Sequence, residues 1–238
     1  MEKRNKIFVV LLVIATVLIV GFCIYSVINK EDVEMTDAIK FKNEYSELNG
    51  KVNEANGKNY VNVSIKDDNT VKYVSEEEAV KLLETGSGII YFGFSKCPWC
   101  RSLVTTLTET AKELNETIYY LDVLNIRSAF SLTDGKLEKI KNGSDSYYDI
   151  LKLLDNQLEP YYLTDEAGNQ FDTLEKRLYA PTLVAVKDGV VTGIHVGTVD
   201  SQVSGYDELN SDQVSEIKKK IKTLIDSKNF EVCTDEKC

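Results

Sequence analysis

The chain has 238 residues, 43% of them hydrophobic and 28% charged, with a net charge of −10. That balance describes a folded domain of ordinary size with room for an appendage, and excludes an intrinsically disordered chain. The negative charge excludes nucleic acid and anionic lipid as natural partners, because both repel it.

The appendage comes first in the chain. Ile7 to Asn29 carries no charge and is dominated by Val, Ile and Leu. As a helix it is roughly 35 Å long, enough to cross the hydrocarbon core. It is too long for the apolar core of a signal peptide, and Gly21-Phe22-Cys23 is a poor cleavage site, so the reading is a retained transmembrane helix. Lys3, Arg4 and Lys6 precede the run, which by the positive-inside rule makes 1–6 a cytoplasmic tail. The expected location is therefore a single-pass cell-membrane protein with its domain extracytoplasmic, at a bacterial cell surface. Residues 30–59 are polar and read as a stalk, with a short helix capped by Asp37 that lines up Phe41, Tyr45 and Leu48.

The domain is expected over 60–228. Tyr60–Val63 and Val71–Val74 read as strands around a turn at Asp67-Asp68-Asn69. Ser75 and Glu78 form a capping-box pattern that opens a helix with Val80, Leu82 and Leu83. The apolar run Gly88–Phe94 is a buried strand, and Leu103, Leu107, Ala111 and Leu114 mark one face of the helix after it. Thr117–Val123 returns as a strand, so the strand–helix–strand order implies a parallel pair with a crossover helix. Residues 125–179 read as an insertion holding one helix (Tyr147, Ile150, Leu151, Leu154) and a turn at Asp165–Asn169. Beyond it, Thr182–Val186 and Val190–Val196 flank Asp188-Gly189, a type I′ hairpin signal. Val214, Ile217, Ile221 and Leu224 form the last helix, with Ser211 as expected cap, and 229–238 is a polar tail with Cys233 and Cys238.

Between the buried strand and its helix stands Cys97-Pro98-Trp99-Cys100. Pro98 suits the first helical position. The free N–H groups and positive dipole end of a helix stabilise a thiolate at Cys97, with Lys96 and Arg101 expected to add cationic charge beside it. Two cysteines so spaced can pass between dithiol and disulfide with little backbone movement. The chemistry indicated is redox.

With Tyr179-Ala180-Pro181-Thr182 opening a later strand, then the Asp-Gly hairpin and a final helix, the chain resembles the thioredoxin superfamily over roughly residues 71–226. The resemblance implies an α/β fold, a central mixed β-sheet flanked by helices, and a thiol–disulfide oxidoreductase. It implies Cys97 as attacking thiol and Cys100 as resolving thiol. It also implies a cis proline at Pro181 lying against the pair, with Ala180, Pro181 and Trp99 facing a substrate chain. One position departs from the pattern: six residues before Cys97, where members often carry a buried acid, stands Tyr91. A phenol titrates near pH 10 and does not take a proton at neutral pH. No histidine lies between the cysteines, which favours a reductase fed by a membrane or extracytoplasmic redox partner and acting on protein or peptide disulfides. No cofactor or metal is expected.

Two other readings stay open. Cys97, Cys100, Cys233 and Cys238 could in principle offer four thiolates to zinc, although Pro-Trp stiffens the first pair; Cys233 and Cys238 could equally form a second disulfide. A non-catalytic accessory role is the other, since the chain is similar to bacteriocin-export accessory proteins. The single histidine, His195, reads as an ordinary strand residue. Gly86-Ser87-Gly88 lacks the rest of a phosphate loop.

Overall fold

The structure is a computed structural model and describes residues 14–16, 18–21 and 35–228. Among these no helix is long and apolar enough to cross a membrane. This overturns the expected fold in its membrane part. A span needs about 20 consecutive apolar helical residues, and seven positions of the 7–29 run are described, all helical. The rest of that run lies outside the described residues, as do 1–6, 30–34 and the tail 229–238 with Cys233 and Cys238.

Residues 36–228 form one compact unit. Five strands make its sheet: β3 (Val71–Tyr73), β4 (Gly88–Gly93), β5 (Ile118–Asp122), β10 (Thr182–Lys187) and β11 (Val190–Val196). Their order is β11-β10-β4-β5-β3, with β4, β5 and β3 parallel and β10 antiparallel to both its neighbours. The sheet is mixed. Every residue of β4 is buried because helices cover both faces, which is why its sequence is an unbroken apolar run. Ile89 and Tyr91 face a layer containing α1 (Asp37–Ser46), α3 (Pro98–Glu113) and α5 (Ser211–Ser227). Ile90 and Phe92 face α2 (Glu76–Thr85) and α4 (Asp145–Leu153) on the other side.

Several local signals take their expected form. The Ser75–Glu78 capping box opens α2 with both reciprocal hydrogen bonds in place. Asp188 and Gly189 both have positive φ, as a type I′ turn requires. A Cβ at Gly189 would lie 2.1 Å from the Glu84 carbonyl oxygen, so this turn also needs glycine for close approach.

Six expectations change. Thr36 rather than Asp37 caps the stalk helix, its hydroxyl accepting from the Ile39 N–H. The stalk helix α1 belongs to the core: Phe41 and Tyr45 are fully buried against Tyr91 and Tyr120. Two large aromatics one turn apart are a strong apolar face even in a polar segment. Tyr60–Val63 is not a strand. Its backbone is held by side chains instead, with Asn49 pairing both ways with Val63 and Arg101 donating to the Val61 carbonyl. The insertion carries two hairpins besides its helix, β6 (Ala129–Thr133) with β7 (Lys136–Lys141) and β8 (Pro160–Thr164) with β9 (Gln170–Lys176). Only Thr173 of these strands is buried, so they lack the continuous apolar run that marks β4. Finally, Asn210 rather than Ser211 caps α5, in a capping box with Gln213, and a two-strand hairpin, β1 (Val52–Asn53) with β2 (Lys58–Asn59), precedes Tyr60.

Candidate functional site

The site forms where β4 ends and α3 begins. Cys97 is the N-cap of α3, Pro98 stands in the first turn, and the Cys100 N–H donates to Cys97 Sγ at 3.2 Å. A cap position leaves backbone N–H groups without intrahelical partners, and here one of them points at sulfur. Both cysteines are free thiols. They are unequal in setting. Cys100 has no exposure, whereas Cys97 retains 5%, less than an exposed cap would have. The hydrogen bond from the Cys100 thiol holds Cys97 below the ordinary thiol value, aided by the backbone N–H groups of Cys100 and Trp99 and by the charge of Arg127; burial opposes this. Burial pushes Cys100 well up, and the hydrogen bond and charge of Cys97 push it further. One thiol is thus prepared to ionise while the other keeps its proton.

The loop before β10 completes the front of the site. The Ala180–Pro181 bond is cis. The Cys97 thiol donates to the Ala180 carbonyl at 3.2 Å, across 83 positions of sequence. Trp99, Tyr179, Ala180, His195, Gly197 and Asp200 are among the residues lining a groove of about 400 Å³ beside it. A Cβ on Gly205 would stand 2.8 Å from the Trp99 backbone nitrogen, so the 198–207 loop packs directly on the first turn of α3. That loop is fixed by Gln202, which donates to Ser102 Oγ, and by Ser102, which donates to the Gly205 carbonyl.

The cations are arranged differently from the sequence reading. Arg101 is 1% exposed and turned away from sulfur. Its guanidinium donates to the carbonyls of Val61 and Tyr45 at 2.9 and 2.7 Å and to Asn49 Oδ1 at 2.8 Å. Adjacent to Cys100 in sequence, it lies on a different helical face from Cys97 and ties α1 and the 49–61 segment to α3. Lys96 is exposed. The cation that acts on Cys97 is Arg127, from the segment after β5, with its guanidinium 4.8 Å above the Phe94 ring. Nothing in the local sequence marks it, since only folding brings that segment to Phe94. His195 lines the groove, and its Nε2 is buried without a hydrogen-bond partner. Burial lowers its pKa.

Behind Cys100 the layer is aromatic. Tyr91 tempers the rise of the Cys100 pKa, and its hydroxyl lies 2.9 Å from that of Tyr45. Among the described residues no group of His, Cys, Asp and Glu side chains is placed to hold a metal; a four-cysteine zinc site needs Cys233 and Cys238, which are outside them. Comparison of the chain with models of known protein families and with curated proteins finds no match in either.

Proposed function

We propose that the protein is a thiol–disulfide oxidoreductase of thioredoxin-like type, in which Cys97 attacks and Cys100 resolves. The observation that carries the reading is the inequality of the pair: Cys97 sulfur accepts a helix N-terminal N–H at 3.2 Å while Cys100 is sealed in the core. The Cys97 thiolate attacks one sulfur of a protein or peptide disulfide, forming a mixed disulfide and expelling the other sulfur as a thiolate, which takes a proton from water. Cys100 then loses its proton and attacks Cys97 Sγ, closing the Cys97–Cys100 disulfide and releasing the second substrate thiol. The substrate gains two electrons and the protein loses two, which a partner dithiol restores. Recognition falls to the groove of Trp99, Tyr179 and the Ala180 backbone, which suits an extended chain laid beside Cys97.

The test is trapping. With Cys23, Cys233 and Cys238 replaced by Ser, Cys100→Ala should accumulate covalent mixed disulfides with peptide disulfide substrates, and Cys97→Ala should not. Equal trapping, or the reverse pattern, overturns the assignment. The favoured direction is reduction, because no histidine stands between the cysteines to stabilise the dithiol form. Equilibration of the full chain against glutathione decides this, and a potential near −120 mV, that of a strong oxidant, overturns it.

A further inference from the structure

Resolution by Cys100 requires its proton to leave a site with no exposure, and the position where an acid is expected holds Tyr91. The layer behind Cys100 supplies a different exit. Tyr91 shares the buried cluster of Cys100, and its hydroxyl lies 2.9 Å from the Tyr45 hydroxyl. The Tyr45 and Tyr120 rings meet edge to face, 6.2 Å between centroids. The Tyr120 hydroxyl donates to Glu44 Oε1 at 3.0 Å, and Tyr73 donates to Glu44 Oε2 at 2.6 Å. Tyr45, Tyr91 and Tyr120 are fully buried, whereas Glu44 reaches partial exposure.

Packing alone does not require this series. Phenylalanine would fill the same ring positions, with Tyr91 stacked on Tyr120 at 5.3 Å between centroids. The hydroxyls are extra, and the backbone makes room for one of them. A Cβ on Gly93 would lie 2.4 Å from the Tyr91 oxygen, so the bare backbone at the end of β4 admits the hydroxyl. Each hydroxyl can accept one proton while donating another, so a series of them passes a proton without any tyrosine becoming an anion.

On the oxidoreductase reading above, we propose that Tyr91, Tyr45 and Tyr120 form a hydroxyl relay that carries the Cys100 proton to the Glu44 carboxylate. As Cys100 Sγ bonds to Cys97 Sγ, its proton passes to Tyr91, whose own moves to Tyr45, that of Tyr45 to Tyr120, and that of Tyr120 to Glu44. The substrate sulfur leaves Cys97 as a thiolate and is protonated by water, and Glu44 returns its proton to solvent. Because the proton leaves as the S–S bond forms, no free thiolate has to persist in the core. The charged and titratable groups around Glu44 are Tyr73, Tyr120, Asp37 beside Tyr73, Lys40 over the Tyr73 ring, and Asp122 at the end of β5. Asp122 is the rival terminus.

The experiment uses the reduced full chain with Cys23, Cys233 and Cys238 replaced by Ser and dithiobis(nitrobenzoate), whose coloured thiolate is then released once by Cys97 attack and once by Cys100 resolution. Tyr91→Phe, Tyr45→Phe, Tyr120→Phe and Glu44→Gln should each slow the second release by about tenfold or more at pH 7, with the first release unchanged within about twofold. The unchanged first phase certifies folding in each variant. The Tyr91→Phe/Glu44→Gln double variant should be no slower than the slower single, since one path is broken once. The solvent deuterium isotope effect on the second release should also diminish in every variant. Resolution at the normal rate in Glu44→Gln, additive losses in the double variant, or the same loss on Asp122→Asn each overturn the relay. A wild-type chain lacking the second release overturns the oxidoreductase reading itself, and the relay with it.

Discussion

The two sides of the Cys97–Cys100 pair differ in kind. In front of Cys97 the wall is made of loops: the segment around cis Pro181, the 198–207 loop packed on Trp99, and the groove between them. Behind Cys100 the wall is close-packed aromatic core, with Phe41, Tyr45, Tyr91 and Tyr120 at zero exposure. Four consecutive residues therefore connect two solvents. The lesson is that inequality between the thiols resides only partly in the tetrapeptide. Its own thiol and N–H groups lower Cys97, while a cation from outside adds to that and desolvation acts on Cys100.

The strongest way to break this comparison is to damage the rear wall. Phe41→Ala should destabilise the reduced chain by about 3–5 kcal/mol, the cost of emptying an aromatic site in a packed core. Urea unfolding followed by fluorescence would measure it, and a loss under about 1 kcal/mol would return α1 to the status of a stalk helix. Arg101→Leu should cost about 3 kcal/mol, because it strands the Val61 and Tyr45 carbonyls inside the protein. Under native conditions it should leave the alkylation rate of Cys97 nearly unchanged. A large fall in that rate would show Arg101 serving the thiolate after all.

A pH series sharpens the inequality of the thiols. Cys97 ionises below its unfolded pKa, so between its lowered value and the ordinary thiol value near 8.5 the unfolded chain holds one more proton. Stability of the reduced form should rise with pH across that window and be lost as pH falls through it. Cys100 is shifted the other way, so above about pH 8.5 the unfolded chain releases a proton that the folded chain keeps, and stability should fall by up to about 1.4 kcal/mol per pH unit. Cys97→Ser should abolish the rise and Cys100→Ser the fall. A flat profile in the parent chain would contradict both shifts. The smallest effect is expected at the front. Arg127→Gln should raise the Cys97 pKa and slow its alkylation at pH 7 about threefold, as loss of one neighbouring charge does.

How much of this was legible in advance varies with the range of the forces involved. Short-range signals were readable as they stand: the Ser75–Glu78 box, the Asp188-Gly189 turn, and Pro98 after a cap all depend on a few bonded neighbours. The β4 run was legible as a buried strand because two covered faces leave no alternation. The β6–β7 and β8–β9 hairpins were not, since their mostly exposed strands carry little periodicity. Asn210 and its neighbour Ser211 can both cap, and only the geometry of the chain's entry into α5 chooses between them.

The sequence by itself determined the strand, the cap and the two sulfurs at one helix start, because spacing along the backbone sets those distances directly. Tertiary structure decided the electrostatics and the partners. It turned Arg101 from sulfur to carbonyls, brought Arg127 in its place, and set Ala180 against Cys97. It also made α1 a wall of the core and stacked tyrosines between Cys100 and Glu44. Charge and burial act through space on whatever folding brings near, and that neighbourhood is written nowhere within a few residues of Cys97.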